Sequence, residues 1–224
     1  FSLSPEALKQ LGLTLLQQTA ILNPDNNKIE GIIASAKQCC QVLTYQDDSY
    51  PVLLKQIYDP PLVLFYRGDI SLLKERQIAI VGSRSASIAG RETANLLAQE
   101  LCRHNLTVTS GLAIGIDGAA HQGALTASGN TIAVVATGLD RVYPSRHKSV
   151  ANEIINCGGL ILSEFQPGVK PKPGNFPKRN RLISGLSEGV VIVEAEIKSG
   201  SLITARCAIE QNREVFAVPS SINN

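Results

Sequence analysis

Apolar positions fall along this chain in two alternating rhythms. Ile78-Ala79-Ile80-Val81 is a short, mainly β-branched run that ends at Gly82. A run of this kind, with no polar alternation, reads as a strand buried on both faces, as in a parallel sheet. The next apolar positions, Ala94, Leu97, Ala98 and Leu101, recur at i, i+3, i+4 and i+7, which is the stripe of an amphipathic helix. The alternation continues to the end of the chain. It predicts strands at Ile78–Val81, Thr107–Thr109, Thr131–Ala136, Leu160–Leu162, Val190–Val193 and Val215–Val218, with helical stretches between them. Short apolar strands joined by helical crossovers predict an α/β fold with a Rossmann-like, doubly wound, mostly parallel sheet. Val42–Tyr45 and Leu62–Tyr66 also read as strands, suited to one edge of that sheet. They flank a turn-rich segment with Tyr50-Pro51 and Asp59-Pro60-Pro61.

The beginning of the chain has a different pattern. Ser4-Pro5-Glu6-Ala7 is an N-cap with proline at the first helical position. Leu8, Leu11, Leu15 and Leu16 continue at helical spacing, Asn23-Pro24-Asp25-Asn26-Asn27 interrupts it, and Ile29–Cys40 reads as another short helix. The expected division is a small helical module over 1–45 and an extended Rossmann-like domain over 46–224. Only Lys9, Lys28 and Lys37 are basic in the module, so it reads as a structural appendage rather than a nucleic-acid-binding hairpin.

Composition narrows the class. With 44% hydrophobic and 4% aromatic residues, the core must be built from Ala, Ile, Val and Leu, as between helices and a parallel sheet. The formal net charge of +2 gives no global field toward nucleic acid, so such an interaction needs a local patch. No apolar run reaches membrane-spanning length and no signal peptide is recognisable. Cys39, Cys40, Cys102, Cys157 and Cys207 are odd in number and irregular in spacing, and form no C-x-x-C. They read as reduced thiols of a cytoplasmic protein rather than a disulfide or zinc framework. His104, His121 and His147 show no metal-ligand spacing. The chain starts at Phe1 and contains no methionine, as expected of a trimmed or processed chain.

The chemistry is concentrated at the carboxyl ends of the predicted strands, where doubly wound sheets bind ligands. Gly82-Ser83-Arg84, Ser110-Gly111-Leu112-Ala113, Thr137-Gly138-Leu139-Asp140 and Ser163-Glu164-Phe165 each begin with Gly, Ser or Thr, which admit a ligand close to the backbone. The Gly82–Ser85 turn before a helix suits a phosphate, gripped from the side by the Arg84 guanidinium. The segment Gly168–Leu182 carries Lys170, Lys172, Lys178, Arg179 and Arg181 with no acid among them. Its prolines stiffen the first half, and a helix is predicted from about Lys178. Phe176 among these cations suits base stacking in single-strand binding, and suits equally a hydrophobic staple for the helix. Lys178 and Arg181, three apart, are expected to share a face and take neighbouring phosphates.

Several chemistries lack their signatures. There is no G-x-G-x-x-G, no acid for a ribose after the second parallel strand and no G-K-[ST], so NAD(P) and ATP are not expected to bind. Asp117 and His121 lie one helical turn apart, but no nucleophile is placed beside them, and a capping or hydrogen-bonded role is the simpler reading. Glu164, Glu194 and Glu196 are the remaining acid/base candidates in the crevice. No constellation commits to a reaction, and no cofactor is implied.

These residues resemble the DNA-processing protein A (Smf) family of natural transformation. The resemblance runs through GSRSASIAG (Gly82–Gly90), SGLAIGIDGAAHQGAL (Ser110–Leu125), TIAVVATGLDRVYP (Thr131–Pro144), FPKRNRLISGLS (Phe176–Ser187), VVIVEAEIKSGSLITA (Val190–Ala205) and REVFAVPSSINN (Arg213–Asn224). It departs from the family at Ser87-Ile88-Ala89-Gly90, which lacks the usual aromatic, and at Val218-Pro219-Ser220 in place of VPG. The helical module is only weakly similar to the family's sterile-alpha-motif-like appendage. The resemblance implies a non-enzymatic cytoplasmic protein that binds and protects incoming single-stranded DNA, loads the RecA recombinase onto it and forms a homodimer. Carried over by motif, Ser83, Arg84, Lys178, Arg179, Asn180 and Arg181 would contact DNA, and Ser110, Gly111, Gly138 and Asn175 would line the pocket. The alternative class is a nucleotide-processing hydrolase that resembles lysine-decarboxylase-like phosphoribohydrolases. The stretch Lys198–Thr204 departs from the P-G-G-x-G-T motif of that group. A nucleotide sensor using the same crevice is a third reading.

Overall fold

Burial is nearly continuous along the central strands, as it must be where helices cover both faces of a sheet. The computed structural model of the protein describes residues 4–196 and 199–219. The chain divides into two compact units, Phe1–Gln38 and Cys39–Asn224. In the first unit the structure holds α1 (Pro5–Gln10), α2 (Leu15–Leu22) and α3 (Asn26–Cys39). Ser4 caps α1 through its side chain, with proline at the start of the helix. The leucine spacing predicts one helix through Leu16, but two form. Gly12 takes φ +73°, and Thr14 opens α2 with a capping box closed by Gln17. The left-handed turn and the new cap outweigh the periodicity of Leu11 and Leu15, both of which are exposed.

The second unit contains, in order, β1 (Gln41–Thr44), α4 (Val52–Lys55), β2 (Val63–Gly68), β3 (Gln77–Val81), α5 (Ile88–Arg103), β4 (Thr107–Ser110), α6 (Ile116–Thr126), β5 (Thr131–Val135), α7 (Lys148–Asn156), β6 (Leu160–Ser163), α8 (Asn175–Leu186), β7 (Gly189–Ile192), α9 (Gly200–Glu210) and β8 (Glu214–Ala217). The strands form one sheet in the order β1-β2-β6-β5-β4-β3-β7-β8. From β6 to β8 every neighbour is parallel, whereas β1 and β2 join antiparallel at the edge beside β6. The order reverses at β3, from which the chain winds one way to β4, β5 and β6 and the other way to β7 and β8. The α/β doubly wound fold is thus present, with the crevice of such a sheet at the carboxyl end of β3.

Period two assigns the faces. Ala79 and Val81 of β3 join Ile132, Leu162, Val190, Leu182, Ile183 and Leu186 in one core, which lies under α8 and α9. Ile80 points the other way into a core with Ala94, Ala98, Ala120 and Ala124 of α5 and α6. Those alanines let the two helices approach closely. A methyl group at Gly123 would stand 2.2 Å from the Asn95 carbonyl oxygen. One difference from the expected elements matters for function. α8 begins at Asn175, three residues before the predicted start, with Pro177 inside its first turn. Proline is tolerated there because the amide it lacks has no intrahelical acceptor.

Candidate functional site

At the switch point β3 ends in Val81, and the turn Gly82-Ser83-Arg84-Ser85 forms one wall of a cleft of about 630 Å³. The segment 171–183 and the start of α9 form the other walls. Arg84 is exposed, and its guanidinium carbon lies 5.0 Å from the centroid of the Phe176 ring. The Tyr143 ring lies 5.8 Å from the Phe176 ring, centroid to centroid. Cation and rings together form a platform with a charged end, the arrangement on which a base stacks while a phosphate is neutralised.

α8 presents one face to this cleft. Phe176, Arg179, Asn180 and Ile183 all line it, at i, i+3, i+4 and i+7. The same spacing was legible in the sequence once the helix is started at Asn175 instead of Lys178. Of the predicted site residues, Ser83, Arg84, Phe176, Arg179 and Asn180 line the cleft, whereas Ser110, Gly111, Gly138, Asn175, Lys178 and Arg181 do not. The second group has other contacts. Ser110 is buried and its hydroxyl donates to the Ile80 carbonyl at 2.6 Å. The Gly138 amide donates to the Val169 carbonyl, and the Asn175 side-chain amide donates to the Ala136 carbonyl. Lys178 is exposed on another face of α8.

The expected phosphate pair of Lys178 and Arg181 is not formed. Arg181 turns inward and meets Glu164 at 2.6 Å and Asp59 at 3.4 Å. That pairing also occupies Glu164, one of the acid/base candidates. Arg179 lines the cleft floor but is 4% exposed. Its Nη1 donates to the carbonyls of Gly111, at 2.7 Å, and Val134. Its Nε donates to Asn180 Oδ1. Asn180 in turn donates to the Gly200 carbonyl at the start of α9. These two residues of the basic run therefore tie α8 to the ends of β4, β5 and α9 through Nε and Nη1 of Arg179 and the side-chain amide of Asn180.

The cap at the start of α5 is filled from within the chain. Ser87 caps the helix, and the Glu194 carboxylate accepts from the Ser87 amide at 3.1 Å and from its hydroxyl at 2.8 Å. The helix end already has its anion, an intramolecular one. Glu194 also accepts, through its carbonyl, from the Ser83 amide at 2.6 Å. The residue therefore shapes the turn and is not an acid/base group. Glu196 remains on the cleft wall.

The loop after β4, which the sequence offers as a strand end open to a ligand, is held by buried polar groups that residue patterns do not disclose. Leu112 is buried with φ +58°, a left-handed conformation that is strained for leucine. Asp117 Oδ2 accepts from the amides of Gly111, at 3.2 Å, and Ala113, at 3.3 Å. His147 Nδ1 donates to the Leu112 carbonyl at 3.0 Å. Burial pushes the Asp117 carboxyl above the usual carboxylate range, against the pull of Arg179. Burial likewise lowers the Arg179 guanidinium to about 10, with Asp117 working in the opposite direction. Gly111 has no side chain because none fits: a methyl there would stand 2.4 Å from Arg179 Nη1 and 2.7 Å from Asp117 Oδ2. His121 is fully buried beside Thr131, at 2.7 Å, and burial drives it down to about 3, so it is a neutral core residue. Asp117 and His121 are thus structural, as their spacing without a nucleophile suggested. Among the described residues no group of His, Cys, Asp and Glu could hold a metal ion, and no helix is long and apolar enough to cross a membrane. Ile197, Lys198 and Ser220–Asn224 of the quoted motifs lie outside the described residues.

Comparison with known proteins places this geometry in context. The family described as DNA recombination-mediator protein A matches residues 41–224. Protein Smf of Escherichia coli (strain K12) is 45% identical over 218 residues, which is 97% of this chain and 58% of that protein. The chain therefore spans somewhat less than two thirds of that relative's length. The X-ray structure of DNA processing protein A from Streptococcus pneumoniae aligns with a TM-score of 0.81 at 40% identity, covering 97% of this chain and 80% of that one. The Helicobacter pylori DNA processing protein A, whose structure concerns a single-stranded DNA binding mode, aligns with a TM-score of 0.75 at 34% identity, covering 82% and 83%.

Proposed function

The chain belongs to the DNA recombination-mediator protein A family, and on that premise we propose that its cleft binds single-stranded DNA without catalysing a reaction. The observation that carries this reading is the Arg84 guanidinium held 5.0 Å from the Phe176 ring at the sheet's switch point. A stacking platform with a cation at its edge suits an unpaired base and its phosphate. Nothing in the cleft projects a helix toward a groove, which duplex readout would need. The similarity to a Helicobacter pylori protein studied for single-stranded DNA binding agrees with this reading. Gel shifts with matched oligonucleotides test it: single strands bind, the duplex of the same sequence binds clearly more weakly, and base composition matters little. Equal affinity for both forms would overturn the reading.

In the cell the bound strand is then handed to the RecA recombinase in the cytoplasm during natural transformation. Support for this step is the family alone, and faster recombinase filament formation on coated single strands in the presence of this protein tests it. A homodimer fits the exposed apolar residues of α9 and the β8 edge, Ile209 at 66% and Phe216 at 51%, with Leu202 and Ile203 beside them. Among the described residues β8 is the last strand of the sheet, and its outer edge is the kind of surface a second copy covers. Sedimentation is expected to show a dimer at micromolar concentration that dissociates in Ile209→Glu, and a monomer at all concentrations would remove the proposal.

A further inference from the structure

A second groove, of about 680 Å³, borders the same loop after β4 as the first cleft, and nothing above assigns it a ligand. Its walls are α5, the start of α6 and the segment that enters α7. The cations are Arg91 on one wall and Arg146 on the other, with His147 beside Arg146. Both arginines are exposed, and Arg91 is steadied by an Nη1 donor bond to the Ala86 carbonyl. The carboxylate in the lining is Glu92, next to Arg91 and itself exposed.

One loop separates the two spaces. Ala113 and Asp117 face the first cleft, while Gly115 and Gly118 face the second. The loop is pinned to the Arg84 turn, because the Ile116 amide donates to the Ser83 carbonyl at 3.2 Å. Its second side is kept low by glycine. Gly115 has φ +83° and stands so close to the Ser83 carbonyl that a methyl would come within 2.2 Å, and a methyl on Gly118 would strike His147 at 2.6 Å. A second connection passes around the outside: Tyr143 belongs to the first cleft, and Arg146 and His147, three and four residues later, belong to the groove. The segment that carries Tyr143 of the platform therefore runs on to Arg146.

We propose that the second groove holds the phosphodiester backbone of the same single strand after it leaves the first cleft, with Arg91 and Arg146 as its phosphate contacts. The inference rests on the single-strand reading of the first cleft and extends its footprint. A chain of phosphates is the ligand that such an arrangement favours. Its charges recur along the strand, so two cations across a low loop from a stacking platform meet the next phosphates without new base contacts. The helix walls offer few aromatic surfaces, so the groove grips backbone rather than stacked bases.

The experiment compares oligothymidylates of about 4 and about 16 nucleotides, which span ordinary single-strand site sizes. The protein is tested as it stands, as Arg91→Ala combined with Arg146→Ala, and as Arg146→Glu, which leaves the Arg91–Ala86 bond in place. The expected result is an unchanged affinity for the short strand and a loss of roughly ten-fold for the long one, with the long-strand log–log salt slope smaller by about 1.4 in the double variant. Circular dichroism and melting of the variants should match the parent. A loss equal at both lengths would mark a diffuse charge effect and overturn the groove. Unchanged long-strand binding would overturn it as well, because another anion would then be its ligand. If the unaltered protein binds neither strand, the reading of the first cleft fails instead, and the two failures are distinguished.

Discussion

Arg179→Ala should lower folding stability by about 3–5 kcal/mol, the range for leaving a buried charge uncompensated. Three separate losses contribute. The Gly111 and Val134 carbonyls lose their donor, Asn180 loses the Nε–H that orients its amide, and the buried Asp117 carboxylate loses the positive charge that opposes its desolvation. Each unmet buried polar group counts about 1–3 kcal/mol against the fold, and these share one network, so they do not simply add. Urea denaturation measures the total. Combining Arg179→Met with Asp117→Asn should destabilise by clearly less than the two single changes together, because the double variant leaves no orphaned charge. A loss below about 1 kcal/mol for Arg179→Ala would show that the network carries little of the fold. DNA binding gives an independent check. Nε and Nη1 of Arg179 donate to the protein, so the folded variant should keep the parent's salt slope, and a fall of about 0.7 would instead make it a phosphate contact.

That contrast between arginines shows what the sequence can and cannot disclose. Every predicted strand of the sheet forms, because a short β-branched run between a turn and a helix has few alternatives once both faces are covered. The edge position of β1 and β2 was legible for the same reason. The GSR turn and Phe176 were legible as site residues from their place after a strand end and among cations. The orientation of the basic run was not. Lys178, Arg179 and Arg181 are equivalent as letters, yet one faces solvent, one forms the cleft floor and one pairs with Glu164. Which does which follows from the phase of α8, and a helix started at Lys178 obscures the Phe176–Arg179–Asn180–Ile183 stripe. Glu194 at the α5 cap was equally hidden, since its partner lies 107 residues earlier in the chain. Local patterns carry the elements, whereas long-range polar pairing decides which charges remain for a ligand.

Arg84 is the cation that this pairing leaves exposed at the mouth of the cleft, and Arg84→Ala should weaken single-strand binding by about 1–3 kcal/mol, the worth of a hydrogen bond to a charged group. The log–log salt slope should fall by about 0.7, one phosphate's share for a single strand. Stability should move by no more than about 0.5 kcal/mol, because an exposed turn arginine holds little of the fold. Arg84→Lys separates charge from shape. It keeps the slope but loses the flat face that lies over Phe176, so only part of the affinity should return. Phe176→Leu removes the platform while sparing the charge, and should lower affinity with the slope intact. The two changes together test the contact itself. With the guanidinium carbon 5.0 Å from the ring, the double-mutant cycle should give a coupling of about 0.5 kcal/mol or more, since each group positions the other for the same nucleotide. Strictly additive losses would mean that Arg84 and Phe176 serve different nucleotides. If instead Arg84→Ala leaves affinity and slope unchanged and lowers the melting temperature, the arginine is a structural group, and the cleft at the end of β3 is not where the strand binds.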